Sequence, residues 1–245
     1  MNEIEYQKMY DLEETHWWFK SLHHLVLKFI PKDRKNLSIL DAGCGTGNLL
    51  TKLSKHSSTF GYDYNNNSIA FCKKRGLDKV WKRDLNKWNP KMAEFDCIIS
   101  LDVISDKGIK NEKLALSNFH IALKEDGILI LNVPALPVLR RRHDKAVTIK
   151  KRYFKKDLIN LIDANHFKIE ILEYRLPLIV PLIFISKVLG FLSKKSEVYR
   201  SDVFKVNKVI NNLLLVYCKF DNFLISNKMN LPFGSSLFCV LKKNG

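Results

Sequence analysis

Between residues 37 and 175, short apolar runs alternate with longer segments of mixed polarity. The runs at 37–42, 59–63, 79–82, 95–101, 127–133 and 168–174 have the length of strands. The clearest is Gly127-Ile128-Leu129-Ile130-Leu131-Asn132-Val133, apolar almost throughout, as a strand covered on both faces should be. Segments 48–55, 68–75, 113–123 and 155–165 carry apolar residues at helical spacing. A seventh strand is predicted at 236–242. This alternation predicts an α/β chain with right-handed crossovers and a doubly wound, mostly parallel seven-stranded sheet with helices on both faces. Ligands of such sheets bind at the carboxyl ends of the strands, beside the point where strand order reverses. No repeat or low-complexity linker divides the chain. One domain is expected over 1–245: a helical lid (1–36), a core (37–175), an apolar helical insertion (176–232) and the last strand (233–245).

Composition adds one unusual feature. Hydrophobic residues at 46% and charged residues at 27% describe a folded globular protein and exclude a mainly disordered one. However, 41 Lys and Arg against 25 Asp and Glu give a net charge of +16. Such a charge suits an anionic partner, nucleic acid or a membrane surface, and equally a lysine-rich genome with no functional meaning. Cys44, Cys72, Cys97, Cys218 and Cys239 are widely spaced without a Cys-x-x-Cys pair. That argues against a disulfide framework or a metal site and fits a reducing cytoplasm. Glu3, Glu5, Asp11, Glu13 and Glu14 against Lys8 make the start acidic, unlike a secretion signal. The most apolar stretch, 176–192, is broken by Pro177, Pro181, Lys187 and Gly190; it does not suit a bilayer span, though it could lie on one.

The strongest local motif is Asp41-Ala42-Gly43-Cys44-Gly45-Thr46-Gly47, where an apolar strand gives way to a helix. Alternate glycines permit a tight turn, and a missing Cβ lets a ligand lie against the backbone. Asp63 follows twenty residues after Gly43 at the end of the next strand, where a carboxylate can accept both hydroxyls of a ribose. A dinucleotide fingerprint would want glycine where Asn48 stands, which argues against a nicotinamide dehydrogenase.

From residue 37 to 133 the sequence resembles the class I S-adenosylmethionine-dependent methyltransferases, with a Rossmann-like fold. The glycine segment is similar to the first motif of that family, and Asp63 to its ribose-holding acid. Arg83-Asp84-Leu85 resembles the segment near the adenine, and 95–104 and 123–130 resemble the fourth and fifth strands. The resemblance implies S-adenosylmethionine as cofactor, held by Asp41, Gly43, Cys44, Gly45, Gly47, Asp63, Tyr64, Asp84, Leu85, Leu101 and Asp102. Glu14-Thr15-His16-Trp17-Trp18-Phe19, His143-Asp144 with Lys151-Arg152-Tyr153, and 231–236 resemble segments of bacterial members of this type. In such proteins the acceptor is often a sugar, quinone or lipid-linked intermediate. Departures are Ser105-Asp106 and Ile149, where relatives carry histidine, and His166, where they carry glycine. Asn165 would then take the left-handed position at that helix end.

Methyl transfer to a hydroxyl requires alignment and a base. His143, in the loop after the fifth strand, is the first candidate, and His16, on a lid over the cofactor, is the second. His23 and His24 read as surface residues. Residues 140–156 hold nine Lys or Arg and one acid, a net +8 beside the expected site mouth, suited to an acceptor bearing phosphate. Val206, Val209, Ile210, Leu213, Leu214, Tyr217 and Phe220 recur at helical spacing opposite Asn207, Asn211 and Asn212. Their apolar face is expected either to cap the substrate pocket as core or to dock on an anionic membrane through 176–220. The function expected is O-methylation of a small-molecule, glycan or lipid-linked acceptor. The alternatives are an RNA methyltransferase, for which no recognised RNA-binding module is present, and a catalytically silent protein of this fold acting as a membrane or complex partner.

Overall fold

The computed structural model describes residues 3–31, 36–55, 57–192, 201 and 203–244. Seven strands form one sheet: β1 (Ser38–Ala42), β2 (Ser58–Asp63), β3 (Val80–Lys82), β4 (Phe95–Leu101), β5 (Leu123–Pro134), β6 (Phe167–Arg175) and β7 (Ser236–Lys243). Their spatial order is β3-β2-β1-β4-β5-β7-β6. Strands β1 to β5 pair in parallel, and β7 inserts antiparallel between β5 and β6. Order reverses between β1 and β4, which locates the ligand crevice at their carboxyl ends. Strand β5 begins earlier than its apolar run predicts, because Leu123 pairs with Phe95 before the register shifts.

Helices α1 (Glu3–Leu12) and α2 (Trp17–Phe29) precede the sheet. Between strands lie α3 (Asn48–Leu53), α4 (Asn66–Lys74), α5 (Glu112–Ala122), α6 (Arg142–Ala146) and α7 (Lys155–Asp163). Helices α8 (Ile179–Leu192) and α9 (Lys208–Ser226) fill the interval before β7. Successive strand residues face opposite sides, so β4 serves two cores. Ile98 packs with Leu40, Leu129 and Leu131 beneath α5 and α7. Cys97 and Ile99 pack with Ile39, Ile130 and Phe238 beneath α2 and α9.

Helix α9 docks by its polar face. Asp221 accepts the Leu176 N–H at 3.1 Å and lies 4.0 Å from Arg175 Nε. The Asn222 amide donates to the Ser21 carbonyl at 2.9 Å, and Asn211 accepts the Trp17 N–H at 2.9 Å. Its apolar side is therefore not core: Val209, Leu213, Val216 and Phe220 are exposed. Two local expectations also change. His166, with φ 57°, takes the left-handed position itself, while the buried Asn165 amide donates to the Leu161 carbonyl at 2.7 Å. His23 is buried, not superficial, with Nδ1 3.1 Å from Lys52 Nζ. Burial and that ammonium push its pKa down to about 3.

Candidate active site at the ends of β1, β2 and β4

The glycine loop folds back on β2 through the Gly43 and Cys44 amides, which donate to the Tyr62 carbonyl at 2.7 and 3.0 Å. Gly43, Gly45 and Gly47 have φ of 99°, 54° and 84°, a region costly for other residues. The three serve different ends. A Cβ on Gly43 would overlap the Val103 side chain, and one on Gly47 would lie 2.7 Å from Leu77 Cδ1 and 2.9 Å from Cys72 Sγ. These two glycines admit protein rather than ligand. Gly45 faces Met9 of α1, whose sulfur would lie 3.1 Å from an added Cβ.

Three carboxylates gather at the neighbouring strand ends. Asp63 accepts the Gly45 N–H at 3.0 Å and the Asn65 N–H at 2.9 Å. Burial raises its pKa, and those amides oppose the rise. Asp41, fully buried, is pushed up to about 8 by burial and by the charges of Asp63 and Glu13. Asp102 follows β4 in a left-handed conformation (φ 60°) and accepts the Asn132 amide at 2.8 Å. Burial pushes it up to about 6. Among the described residues none of these three acids forms an ion pair. Buried carboxylates with no ion-pair partner in contact, only the more distant Arg152 and Arg175 acting on Asp102, make a place that a positively charged ligand completes.

The other residues expected at the site divide. Cys44 lies in the loop, its sulfur 3.8 Å from that of Cys72, and this contact and burial hold the thiol well above its usual range. Asp84 closes a turn by accepting both the backbone and side-chain N–H of Asn86 at 2.9 and 2.7 Å. Leu85 is part of the core, Leu101 packs at the core's edge, and Tyr64 is exposed beyond β2. His16 is the N-cap of α2: its Nδ1 accepts the Trp18 N–H at 3.3 Å, and burial lowers its pKa. The proton of neutral His16 therefore sits on Nε2, and taking up another would break the cap. His143 lies on α6, half-buried beside Asp144.

Helix α1 covers the crevice through residues the motif reading did not single out. The Tyr6 hydroxyl is hydrogen-bonded to Asp63, and burial with the charges of Asp63 and Asp106 holds that phenol protonated. Glu13 accepts from the Thr46 hydroxyl and from Arg75 Nη2. Arg75 also donates to the Thr46 carbonyl at 3.0 Å and lies 4.4 Å from the centre of the Tyr10 ring. Burial outweighs these partners and raises Glu13 to about 7. A signal was present: Tyr6, Met9, Tyr10 and Glu13 share one helical face.

The basic interval is partly neutralised within the fold. Arg152 grips Asp144 at 2.6 and 2.8 Å, both buried, and donates to the Ala135 carbonyl at 3.0 Å. Lys150 and Lys151 pair with Glu112 at 3.0 and 3.7 Å, and Lys155 with Glu173 at 3.4 Å. Arg140, Arg142 and Lys145 stay exposed around α6.

A mostly parallel sheet of this order with an antiparallel β7, a glycine turn after β1 and an acid ending β2 is the arrangement of the class I methyltransferases. Residues 15–170 match the family model described as a methyltransferase domain. The chain belongs to that family and is an S-adenosylmethionine-dependent methyltransferase. Solved structures agree in fold. The chain is 13% identical to the methyltransferase in complex with the Haloferax volcanii Trm112 methyltransferase activator (TM-score 0.64; 99% of this chain and 95% of that one covered). It is 16% identical to a Thermotoga maritima S-adenosylmethionine-dependent methyltransferase described as a possible histamine N-methyltransferase (TM-score 0.63; 98% and 95% covered). It is 18% identical to a Haemonchus contortus phosphoethanolamine N-methyltransferase in complex with S-adenosylhomocysteine (TM-score 0.60; 93% and 53% covered). No curated protein matches the sequence. The site fits the cofactor: the acids without an ion pair suit its sulfonium and ammonium charges, and Gly45, met only by the flexible Met9 side chain, supplies bare backbone.

Proposed function

We propose that this protein O-methylates a small-molecule, glycan or lipid-linked acceptor. Asp63 receives the ribose hydroxyls, and Asp41 and Asp102 balance the positive charges of the methionine end. Gly43, Cys44, Gly45 and Gly47 form the turn beneath it. Asp84, Leu85, Leu101 and Tyr64 border the adenine. S-adenosylmethionine would supply an activated methyl group whose loss leaves the neutral thioether S-adenosylhomocysteine, so no acid would be needed. The protein's task is to align the acceptor and remove its proton. His143 is the base in this reading, since His16 is engaged as a helix cap. Exposed Arg140, Arg142 and Lys145 on and beside α6 suit an acceptor bearing phosphate.

The observation carrying the reading is the set of unpaired acids around Gly45 and Asp63. The test is incubation of the protein with methyl-labelled S-adenosylmethionine and bacterial extract, followed by separation into lipid, small-molecule and RNA fractions. Label in the lipid or small-molecule fraction, stable to mild acid as an ether, is expected. Label confined to RNA, or none despite cofactor binding, overturns the proposal.

A further inference from the structure

We infer that α8 and α9 form a docking surface for an anionic lipid bilayer. On α9, Val209, Leu213, Val216, Phe220 and Phe223 are all exposed, and their spacing of four and three residues makes one stripe. Leu178, just before α8, and Leu182, Phe184, Ile185 and Val188 on it are exposed as well. Leu213 and Leu178 each retain 66% of their accessibility, where a core-facing helix would bury such residues. The two helices meet: the Leu178 N–H donates to the Tyr217 hydroxyl at 3.1 Å, so α8 starts beside the middle of α9. An apolar surface of this extent marks an interaction site.

Charge selects the occupant. The charged side chains reaching solvent on α8 and α9 are Lys187, Lys208 and Lys219, and Lys205 precedes α9. The acid of α9, Asp221, is buried beside Arg175. Apolar side chains bordered by lysines match a bilayer interface, where the chains enter the acyl boundary and the ammonium groups meet anionic headgroups. A second copy seated on the α9 stripe would bring like charges together. A stable coiled coil instead sets acids against bases beside its seam.

The location also suits the chemistry. Lys187 donates to the Val138 carbonyl at 2.6 Å, and Arg141 Nη1 lies 3.4 Å from the Ser186 hydroxyl. Helix α8 is thereby tied to the segment following β5, at the same edge of the sheet as the cofactor acids. A bilayer bound there would present a lipid-linked acceptor to the crevice. Only this last step rests on the proposed function, because docking is measured without turnover.

The experiment is flotation of the full chain with phosphatidylcholine vesicles, with and without phosphatidylglycerol. Binding to the anionic vesicles, released by high salt, is expected. L213E/V216E and L182E/I185E, all at exposed positions, should each lower the bound fraction about tenfold. Their affinity for S-adenosylhomocysteine should stay that of the parent, which checks folding. Absence of binding to anionic vesicles, or binding indifferent to both double variants, overturns the inference. So does light scattering that shows a dimer dissociated by the variants while vesicle binding persists. Loss of cofactor binding or turnover with flotation intact would instead count against the proposed function.

Discussion

The hydroxyl of Tyr6 on α1 is hydrogen-bonded to the carboxylate of Asp63 at the end of β2. Asp63 also accepts the N–H groups of Gly45 and Asn65 and the hydroxyl of Ser68, so four donors already occupy its two oxygens. A ribose has to displace Tyr6 to be received in full. Tyr6→Phe is therefore expected to tighten S-adenosylhomocysteine binding about three- to tenfold, the worth of one net hydrogen bond. Asp63→Ala should weaken it about ten- to a hundredfold. Calorimetry reads both. Unchanged affinity in Asp63→Ala would disprove the ribose assignment.

Cofactor binding should release protons near neutral pH. Asp41, with a pKa of about 8, is largely protonated there, and a sulfonium and ammonium nearby would favour its ionised form. Calorimetric titrations in buffers of different ionisation enthalpy should show release with S-adenosylmethionine. S-adenosylhomocysteine, lacking the sulfonium, should release less. Equal release by both ligands would exclude the sulfonium as the cause.

The cofactor-free protein should lose stability as pH rises through about 7 to 8. Glu13 and Asp41 have folded-state pKa values of about 7 and 8, above their ordinary values of 4.5 and 3.8. The folded chain thus holds more protons between the two limits. The favourable contribution is complete below the unfolded values and is lost as pH passes the folded ones. Glu13→Gln should flatten the lower part of the dependence of Tm on pH. A Tm that rises across this range would contradict the assignment.

Asp144 and Arg152 act as a structural unit. Both are buried in a two-pronged pair, so Asp144→Asn leaves a guanidinium without its counter-charge. The expected cost is about 3–5 kcal/mol in denaturant unfolding. A change below about 1 kcal/mol would mean that the pair contributes little.

Gly43→Ala should destabilise by about 1–3 kcal/mol, because its φ of 99° is strained for alanine and the new Cβ meets Val103. Adding Val103→Ala should recover part of the loss contributed by overlap. Full additivity of the two changes would refute that contact.

Period-two and helical apolar spacing located the strands and the principal helices, since burial on both faces leaves a direct imprint on residue type. The turn at 41–47 and the acid at 63 were legible for a similar reason: few residue types satisfy a left-handed loop or a ribose. Helix α9 was legible as a helix but not in its orientation. Asn211 stands opposite the apolar spacing in the sequence, yet it, Asp221 and Asn222 meet partners on α2 and at the end of β6. Polarity predicts water only until the far side of a contact is known.

By itself, then, the order of residues determined the α/β pattern, the glycine turn and the acid that follows it, because each is a local demand on backbone or burial. Tertiary structure alone decided that Val103, Leu77 and Cys72 fill the space beside two of the glycines, and that Tyr6 reaches Asp63. It also decided that Arg152 belongs to Asp144 and that the apolar stripe of α9 faces outward. These facts depend on which side chains meet across turns and between elements, most of them distant in sequence. Neither partner carries a mark of the other until the sheet brings their elements together.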